Sequence, residues 1–197
     1  MTGINFKGLH GKIVDIRIIG MADESVYTSG YLLGESKSLL CIRRCSDLIF
    51  DGYEVFKKDR ILSVKSTKAN CFMAKILDTE GLNLQTESVQ PIDISSEETF
   101  LNQILANHYP LAAYWLDEAR ESCLTLGFVR DSKTRKFSIL PISSQGLLHR
   151  RVAWMRKEDV FGYMYGDRYS VLFGKYAKIL GDGVTGIPDV SSGDTAV

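Results

Sequence analysis

Two stretches of the chain, almost a hundred residues apart, share the pattern that decides the fold. Residues 24–32 read ESVYTSGYL, and residues 121–129 read ESCLTLGFV. At an offset of 97, Glu-Ser, a Thr and a Gly coincide, and most other positions pair apolar or aromatic residues. The apolar pattern predicts a strand, and an isolated glycine inside it (Gly30 and Gly127) indicates a bulge, a sharp bend or a close backbone approach.

Two further matches follow in the same order along the chain. Residues 56–61 (FKKDRI) match residues 155–160 (MRKEDV) at an offset of 99, and residues 74–77 (AKIL) recur letter for letter at 177–180. The two additional residues of the second half fall in the loop around 145–149. Three colinear matches with small changes of offset predict an internal duplication.

Each half is predicted to form five short strands. Segments rich in β-branched and aromatic residues alternate with polar turns at a spacing of about ten residues, which is the pattern of a compact β-barrel. In the first half the predicted strands are 13–19, 26–33, 39–45, 53–57 (after an Asp-Gly turn signal) and 61–64. In the second half they are 111–116, 123–130, 137–142, 152–155 and 160–164.

A helix is predicted ahead of the second set of strands. Ser95 or Ser96 can cap it, and Glu97 and Glu98 lie near the positive end of its dipole. Apolar residues then recur at helical spacing until Pro110 stops the helix. We expect the apolar stripe to close one mouth of a barrel.

These patterns divide the chain into four parts. Residues 1–77 are predicted to form a first small β-barrel, and residues 78–95 an acidic connector. Residues 96–180 are predicted to form a helix and a second small β-barrel. Residues 181–197, rich in Gly, Asp, Ser and Thr, are expected to be a disordered tail.

The order of elements resembles the Sm-like family of small, SH3-like β-barrels. The resemblance covers about residues 10–66 and 96–165 and lies in element order and in the glycine of the second strand. It implies a mainly β fold with two five-stranded Sm-like barrels in tandem, each with a short associated helix, as in bacterial two-domain proteins of unassigned function. The family's RNA-pocket motifs are missing from residues 63–66 (SVKS) and 161–164 (FGYM), so that pocket is not carried over.

Composition and charge exclude several classes of protein. The 197 residues are 45% apolar and 24% charged, which excludes a mostly disordered chain, a collagen-like fibre and a membrane-spanning protein. Lys+Arg and Asp+Glu both number 24, so the chain has no net charge to attract polyanions. The charge is uneven, however, because residues 111–180 carry a net charge of +5 and residues 67–110 one of −4.

The basic second half contains the predicted nucleic-acid contacts. The predicted phosphate contacts are Lys133, Arg135, Lys136, Arg150, Arg151, Arg156 and Lys157. The predicted stacking faces are Trp154, Tyr163, Tyr165 and Tyr169. In the alternative interpretation, the cations lie on solvated turns and strand edges, where lysines discourage aggregation, and the aromatics fill the barrel.

Catalytic and metal-binding patterns are missing from the sequence. The three histidines stand apart from any nucleophile elbow, and there is no P-loop or dinucleotide fingerprint. The four cysteines are too few and too irregular for a disulfide scaffold or a zinc site. Cys41 and Cys45 in a strand would be roughly 13 Å apart, too far for a disulfide. We therefore predict no enzyme activity, no cofactor and no metal, and free thiols without a secretory signal favour the cytoplasm.

The functional expectation follows from the predicted fold. We expect a non-enzymatic binding or assembly module that binds another protein or itself through exposed strand edges. The alternative is an RNA-binding protein that uses the basic face of the second barrel. No membrane partner is expected.

Overall fold

The computed structural model describes residue 6 and residues 8–19, 25–82 and 90–181. The described strands are β1 (Ile13–Ile19), β2 (Ser25–Glu35), β3 (Leu39–Ser46), β4 (Ile49–Lys57), β5 (Ile61–Lys65), β6 (Pro110–Leu116), β7 (Ser122–Ser132), β8 (Lys136–Pro141), β9 (Ala153–Arg156) and β10 (Val160–Tyr165). Each corresponds to one strand predicted from the sequence. The prediction of a mainly β fold is therefore confirmed.

The turn between β3 and β4 differs from the predicted one. Asp47 and Leu48 both have positive φ, 52° and 64°, as a two-residue type I′ hairpin turn requires. The sequence signal pointed instead to Asp51-Gly52, which lies inside β4. Gly52 has a φ of 73°, and a Cβ there would lie 2.4 Å from the amide nitrogen of Asp167. That prediction was wrong. Gly52 is needed because β4 lies close to the backbone of Asp167 there, and the turn contains Leu48, a residue that rarely adopts a positive φ.

Three α-helices accompany the strands in the described part of the chain. They are α1 (Lys68–Thr79), α2 (Glu97–Ala106) and α3 (Arg168–Gly181). The helix predicted from the sequence is α2, and the Ser96 hydroxyl accepts a hydrogen bond from the Thr99 amide at 3.0 Å. It ends before Pro110, which begins β6. The predicted disordered tail beyond Gly181 and residues 83–89 of the predicted connector lie outside the described residues.

The helices α1 and α3 follow the fifth strand of each half. Thr67 and Asn70 form a capping box at the start of α1. At the start of α3, a carboxylate oxygen of Asp167 accepts a hydrogen bond from the Ser170 amide at 2.9 Å. The two caps are 100 residues apart, whereas the AKIL match has an offset of 103. That match therefore pairs positions about one helical turn apart and does not mark equivalent residues.

The ten strands form one antiparallel sheet in the order β5-β1-β2-β3-β4-β10-β6-β7-β8-β9. The sheet is open and continuous, so the prediction of two separate five-stranded barrels is not confirmed. The physical reason is that β4 hydrogen-bonds to β10 and so joins the halves edge to edge. We call this pairing, between Tyr53–Phe56 and Gly162–Tyr165, the seam.

The strand order and register repeat in the two halves. Each half places its fifth strand beside its first, followed by the second, third and fourth. Val14 pairs with Gly30 in the first half, and Leu111 pairs with Gly127 in the second, so both pairs shift by 97 residues. This agreement of register supports the predicted duplication.

The two glycines that opened the comparison play the same structural role. A Cβ on Gly30 would lie 2.2 Å from the carbonyl oxygen of Arg43, and one on Gly127 would lie 2.2 Å from that of Leu140. Side chains cannot fit at such distances, so only glycine allows the neighbouring strand to approach. The predicted close backbone approach is confirmed in both halves.

The hydrophobic core runs across the seam. Phe161 of the second half packs in a buried cluster with Ile16 of the first half. Tyr53 and Val55 of β4 belong to a cluster that contains Phe100 of α2. The apolar stripe of α2 is thus buried against strands from both halves, and the seam is part of the folded core.

Candidate functional site

The seam combines main-chain pairing with specific side-chain contacts. Tyr53 and Tyr165 stack across it, with ring centroids 5.1 Å apart. Lys57 Nζ lies 2.9 Å from a carboxylate oxygen of Glu97 and also donates a hydrogen bond to the carbonyl of Lys157. The fourth strand of one half and the fifth strand of the other therefore form a well-packed joint.

A buried carboxylate, Glu54, also lies in the seam. It pairs with Met164 of β10 in the strand register. The Thr28 hydroxyl donates a hydrogen bond to Glu54 Oε2 at 2.5 Å, and Arg44 Nε lies 3.8 Å from Oε1. Burial raises the pKa of Glu54 above its ordinary value, while Thr28 and Arg44 act in the opposite direction. The seam thus holds a carboxyl group whose charge is disfavoured.

Two strands of the described sheet have a strand neighbour on one side only. β5 pairs with β1, and β9 pairs with β8. By order within its half, β5 is a fifth strand like β10, and β9 is a fourth strand like β4. The free edges are therefore the counterparts of the two strands that pair in the seam.

Each free edge exposes an apolar residue whose counterpart in the seam is buried. Leu62 of β5 is 45% exposed, while its counterpart Phe161, 99 residues later in β10, is 3% exposed. Trp154 of β9 is 45% exposed, while its counterpart Val55 in β4 is fully buried. Single exposed apolar side chains are common in proteins. Here, however, each free edge exposes an apolar side chain whose counterpart is buried in the seam.

The polar contacts of the seam are only partly repeated at the free edges. Arg156 is the counterpart of Lys57, but its Nε lies 2.6 Å from Asp159 Oδ2. Glu97, the partner of Lys57, comes from α2, and no helix precedes β1 in the described residues. A joint between the free edges would therefore depend more on main-chain and apolar contacts than the seam does.

The predicted nucleic-acid contacts do not form one cluster. Lys133 and Lys136 lie over the ring of Trp154, with Nζ atoms 5.0 and 4.6 Å from its centroid. Arg150 and Arg151 are exposed in the segment before β9. Lys133, Lys136 and the exposed indole of Trp154 form a basic aromatic surface at the β9 edge.

The other three predicted contacts are placed differently. Arg135 is exposed in the turn before β8, and its carbonyl accepts a hydrogen bond from the Lys157 amide at 2.9 Å. Lys157 is buried. Arg156 is held by Asp159, whose hydrogen bond and charge raise the pKa of the guanidinium. Of these three, only Arg135 keeps an exposed side chain without an acidic partner in the described residues.

Two of the four predicted stacking aromatics are buried, so that part of the prediction was wrong. Tyr163 and Tyr165 are fully buried in β10. The Tyr163 hydroxyl donates a hydrogen bond to Glu97, and burial raises its pKa well above the ordinary value. Trp154 and Tyr169 are exposed. Of these four aromatics, only Trp154 and Tyr169 are therefore open to stacking on bases.

Sequence reasoning did not identify Leu62 as a candidate. An apolar residue inside a predicted strand is usually part of the core. The signal that identifies it is the internal match with Phe161, read together with the position of β5 at the edge of the sheet. Edge position depends on long-range pairing, which a local pattern does not contain.

Comparisons with known proteins add no assignment. No protein-family model matches the sequence, and a search of curated proteins found no similar one. None of the helices in the described part of the chain is long and apolar enough to cross a membrane. Within the same residues, no group of three or more His, Cys, Asp or Glu side chains is placed to hold a metal ion. All four cysteines are free.

Proposed function

We propose that the protein is a non-enzymatic assembly module that binds further copies of itself head to tail, through β5 of one copy and β9 of the next. One observation carries this proposal. The seam already joins a fourth strand to a fifth strand within the chain, and the two free edges are another fourth strand and another fifth strand. Apolar residues are exposed at the positions where the seam buries them.

The seam supplies a register for the proposed joint. Met164 pairs with Glu54 in the seam. The counterpart of Met164, 99 residues earlier, is Lys65 of β5, and the counterpart of Glu54, 99 residues later, is Ala153 of β9. Lys65 of one copy would therefore lie opposite Ala153 of a second copy. Val64 then lies opposite Trp154. Unpaired N–H and C=O groups of both edges form main-chain hydrogen bonds in this arrangement, as in β-strand addition. A head-to-tail contact of this kind closes into a ring or extends, depending on its rotation.

The two edges can be blocked separately. Leu62→Arg places a charge on the β5 edge, and Trp154→Arg places one on the β9 edge. Alone, each variant is expected to stay at the chain mass of 22.1 kDa in light scattering, because each lacks one half of the joint. Mixed together, they are expected to form a species of twice that mass, because one copy keeps β9 and the other keeps β5.

A matched control separates the edges from general surface hydrophobicity. Phe72 is 65% exposed and lies on α1 rather than on β5 or β9, and Phe72→Arg is expected to associate like the parent chain. A parent chain that stays monomeric at high concentration would refute the proposal. So would a Trp154→Arg chain that still dimerises alone, because that result indicates symmetric pairing of two β5 edges.

The basic aromatic surface at the β9 edge favours RNA binding as a second candidate function. Trp154 is exposed, and Lys133 and Lys136 lie over its ring, which combines a stacking face with phosphate contacts. This function predicts retention on a polyanion resin at low salt that weakens as salt rises. Arg150→Glu with Arg151→Glu should weaken the retention. Absence of salt-dependent retention by the parent chain would exclude it.

A further inference from the structure

An open groove lies between α1 and the strands β1 to β3 of the first half. Its volume is about 690 Å³, which is within the usual range for small-molecule sites. Ile13 and Asn70 line it and are buried, while Tyr31 and Ala74 are partly buried. The groove therefore combines an apolar floor with a few polar groups.

Cations predominate among the charged side chains of this groove. Lys12, Arg43 and Lys75 line it, with Asp78 as the acidic residue. Lys12 and Lys75 are exposed and form no ion pair with any residue that the structure describes. Arg43 is oriented by Phe50, since its Cζ lies 3.9 Å from the centroid of that ring. Lys12 and Lys75 therefore place two positive charges at the groove that no described acidic side chain pairs with.

The second half provides an internal comparison for this groove. Phe128 and Leu140 occupy the positions of the groove's tyrosine and arginine, 97 residues later. Gly174 occupies the position of Ala74, counted from the helix caps, and a Cβ there would lie 2.3 Å from Cγ of Pro110. Thus α3 packs directly on its strands. Because both halves share one register, the polar lining of the first half is not a requirement of the fold.

We propose that this groove binds a small organic anion with a flat apolar part. Lys12 and Lys75 would hold the anionic group through charge-assisted hydrogen bonds, and the charge of Arg43, which pairs with Tyr31 in the strand register, would add to the attraction. Ile13 and the ring of Tyr31 would contact the apolar part. The groove lies under α1 rather than along β5 or β9, so this proposal is independent of self-association.

The test uses two probes that differ in charge. Anilinonaphthalene sulfonate is a flat aromatic anion that fluoresces in apolar surroundings, and phenylnaphthylamine is its uncharged analogue. We expect one sulfonate probe per full-length chain, bound more tightly than the uncharged analogue. Arg43→Leu, which installs the residue of the second half, should weaken sulfonate binding about tenfold, equivalent to about 1.4 kcal/mol. Its effect on the uncharged analogue should be small.

A second variant and a control keep the test decisive. Lys12→Met with Lys75→Met changes only exposed side chains, so folding is preserved, and it should weaken sulfonate binding as well. Lys133→Met removes a cation from the second half and should leave binding unchanged. Amide NMR shifts caused by the probe should cluster at the groove. Equal binding by all variants, or shifts concentrated at the sheet edges, would overturn the proposal.

Discussion

Phe161 and Leu62 occupy counterpart positions, and truncating each to alanine separates the role of the seam from that of the free edge. Phe161 is 3% exposed and packs in the core of the other half. Truncation of a buried phenylalanine typically destabilises a protein by about 3–5 kcal/mol, from lost burial and the cavity left behind. We expect Phe161→Ala to lower the free energy of unfolding by that amount.

Leu62→Ala should weaken association, and it should destabilise the monomer much less than Phe161→Ala does. Complete burial of a leucine side chain is worth about 1.5–3 kcal/mol. Leu62 is 45% exposed in the single chain, so burying that fraction in a joint between copies contributes about 0.7–1.4 kcal/mol. Its loss should weaken association about three- to tenfold. The free energy of unfolding of the monomer should fall by about 0.8–1.7 kcal/mol, the share of the same burial energy that the single chain already provides.

Two measurements distinguish these effects. Urea unfolding of dilute protein, followed by tryptophan fluorescence, gives the free energy of unfolding of each variant. Sedimentation velocity over a concentration series gives the association constant. The reasoning is refuted if Leu62→Ala associates as strongly as the parent chain. It is also refuted if Phe161→Ala unfolds with nearly the parent free energy, since the seam would then contribute little to the fold.

Three other predictions concern stability and reactivity. Gly127→Ala should lower the free energy of unfolding by about 1–3 kcal/mol or more in a urea titration, because the added Cβ would meet a backbone carbonyl. The control is Gly34→Ala, where a Cβ would have no atom within 4 Å. It should change the free energy of unfolding by less than about 0.5 kcal/mol. Since burial raises the pKa of Glu54 above 4.5, its contribution to stability is complete below pH 4.5 and is lost as the pH rises through the raised pKa. Glu54→Gln should flatten that decline in unfolding measurements from about pH 4 to pH 8. Iodoacetamide should modify the exposed Cys71 well before Cys41, whose thiol pKa burial raises to about 12, as mass spectrometry of digested peptides would show.

Strand positions were predictable because their signal is local. Alternating apolar residues with polar turns between them identified all ten described strands, and the internal match identified which strands correspond. Gly30 and Gly127 stood out because glycine is disfavoured inside strands unless the backbone requires it. The sequence alone therefore contained the repeating unit and its register.

The seam was not predictable from such local signals. Pairing of β4 with β10 joins residues more than a hundred positions apart, and nothing in either strand specifies its partner. The burial of Tyr163 and Tyr165 follows from that pairing, because β10 lies between β4 and β6 in the middle of the sheet. The run 160–165 (VFGYMY) contains no charged residue, but a local run does not specify which strands and which helix cover it. Only the long-range pairing and the packing of α2 bury both.

The helices α1 and α3 were missed for a different reason. Both are longer than α2, but their caps, Thr67 and Asp167, lie directly after a strand, where polar residues also indicate a simple turn. Their solvent-exposed residues include large apolar side chains such as Phe72 and Tyr176, so the apolar residues of these two helices are not confined to the buried face.

The difference between the seam and the free edges predicts how assembly depends on concentration. Because the chain connects the two halves, the seam forms at an effective concentration that for short flexible links is about millimolar. It also has the contact between Lys57 and Glu97, which the free edges lack. A joint between two copies has neither the high effective concentration nor this ion pair. It should therefore be weaker than the seam, although it also pairs a fourth strand with a fifth strand. The chain would then remain a stable folded unit at any dilution, while the number of joined copies would vary with concentration.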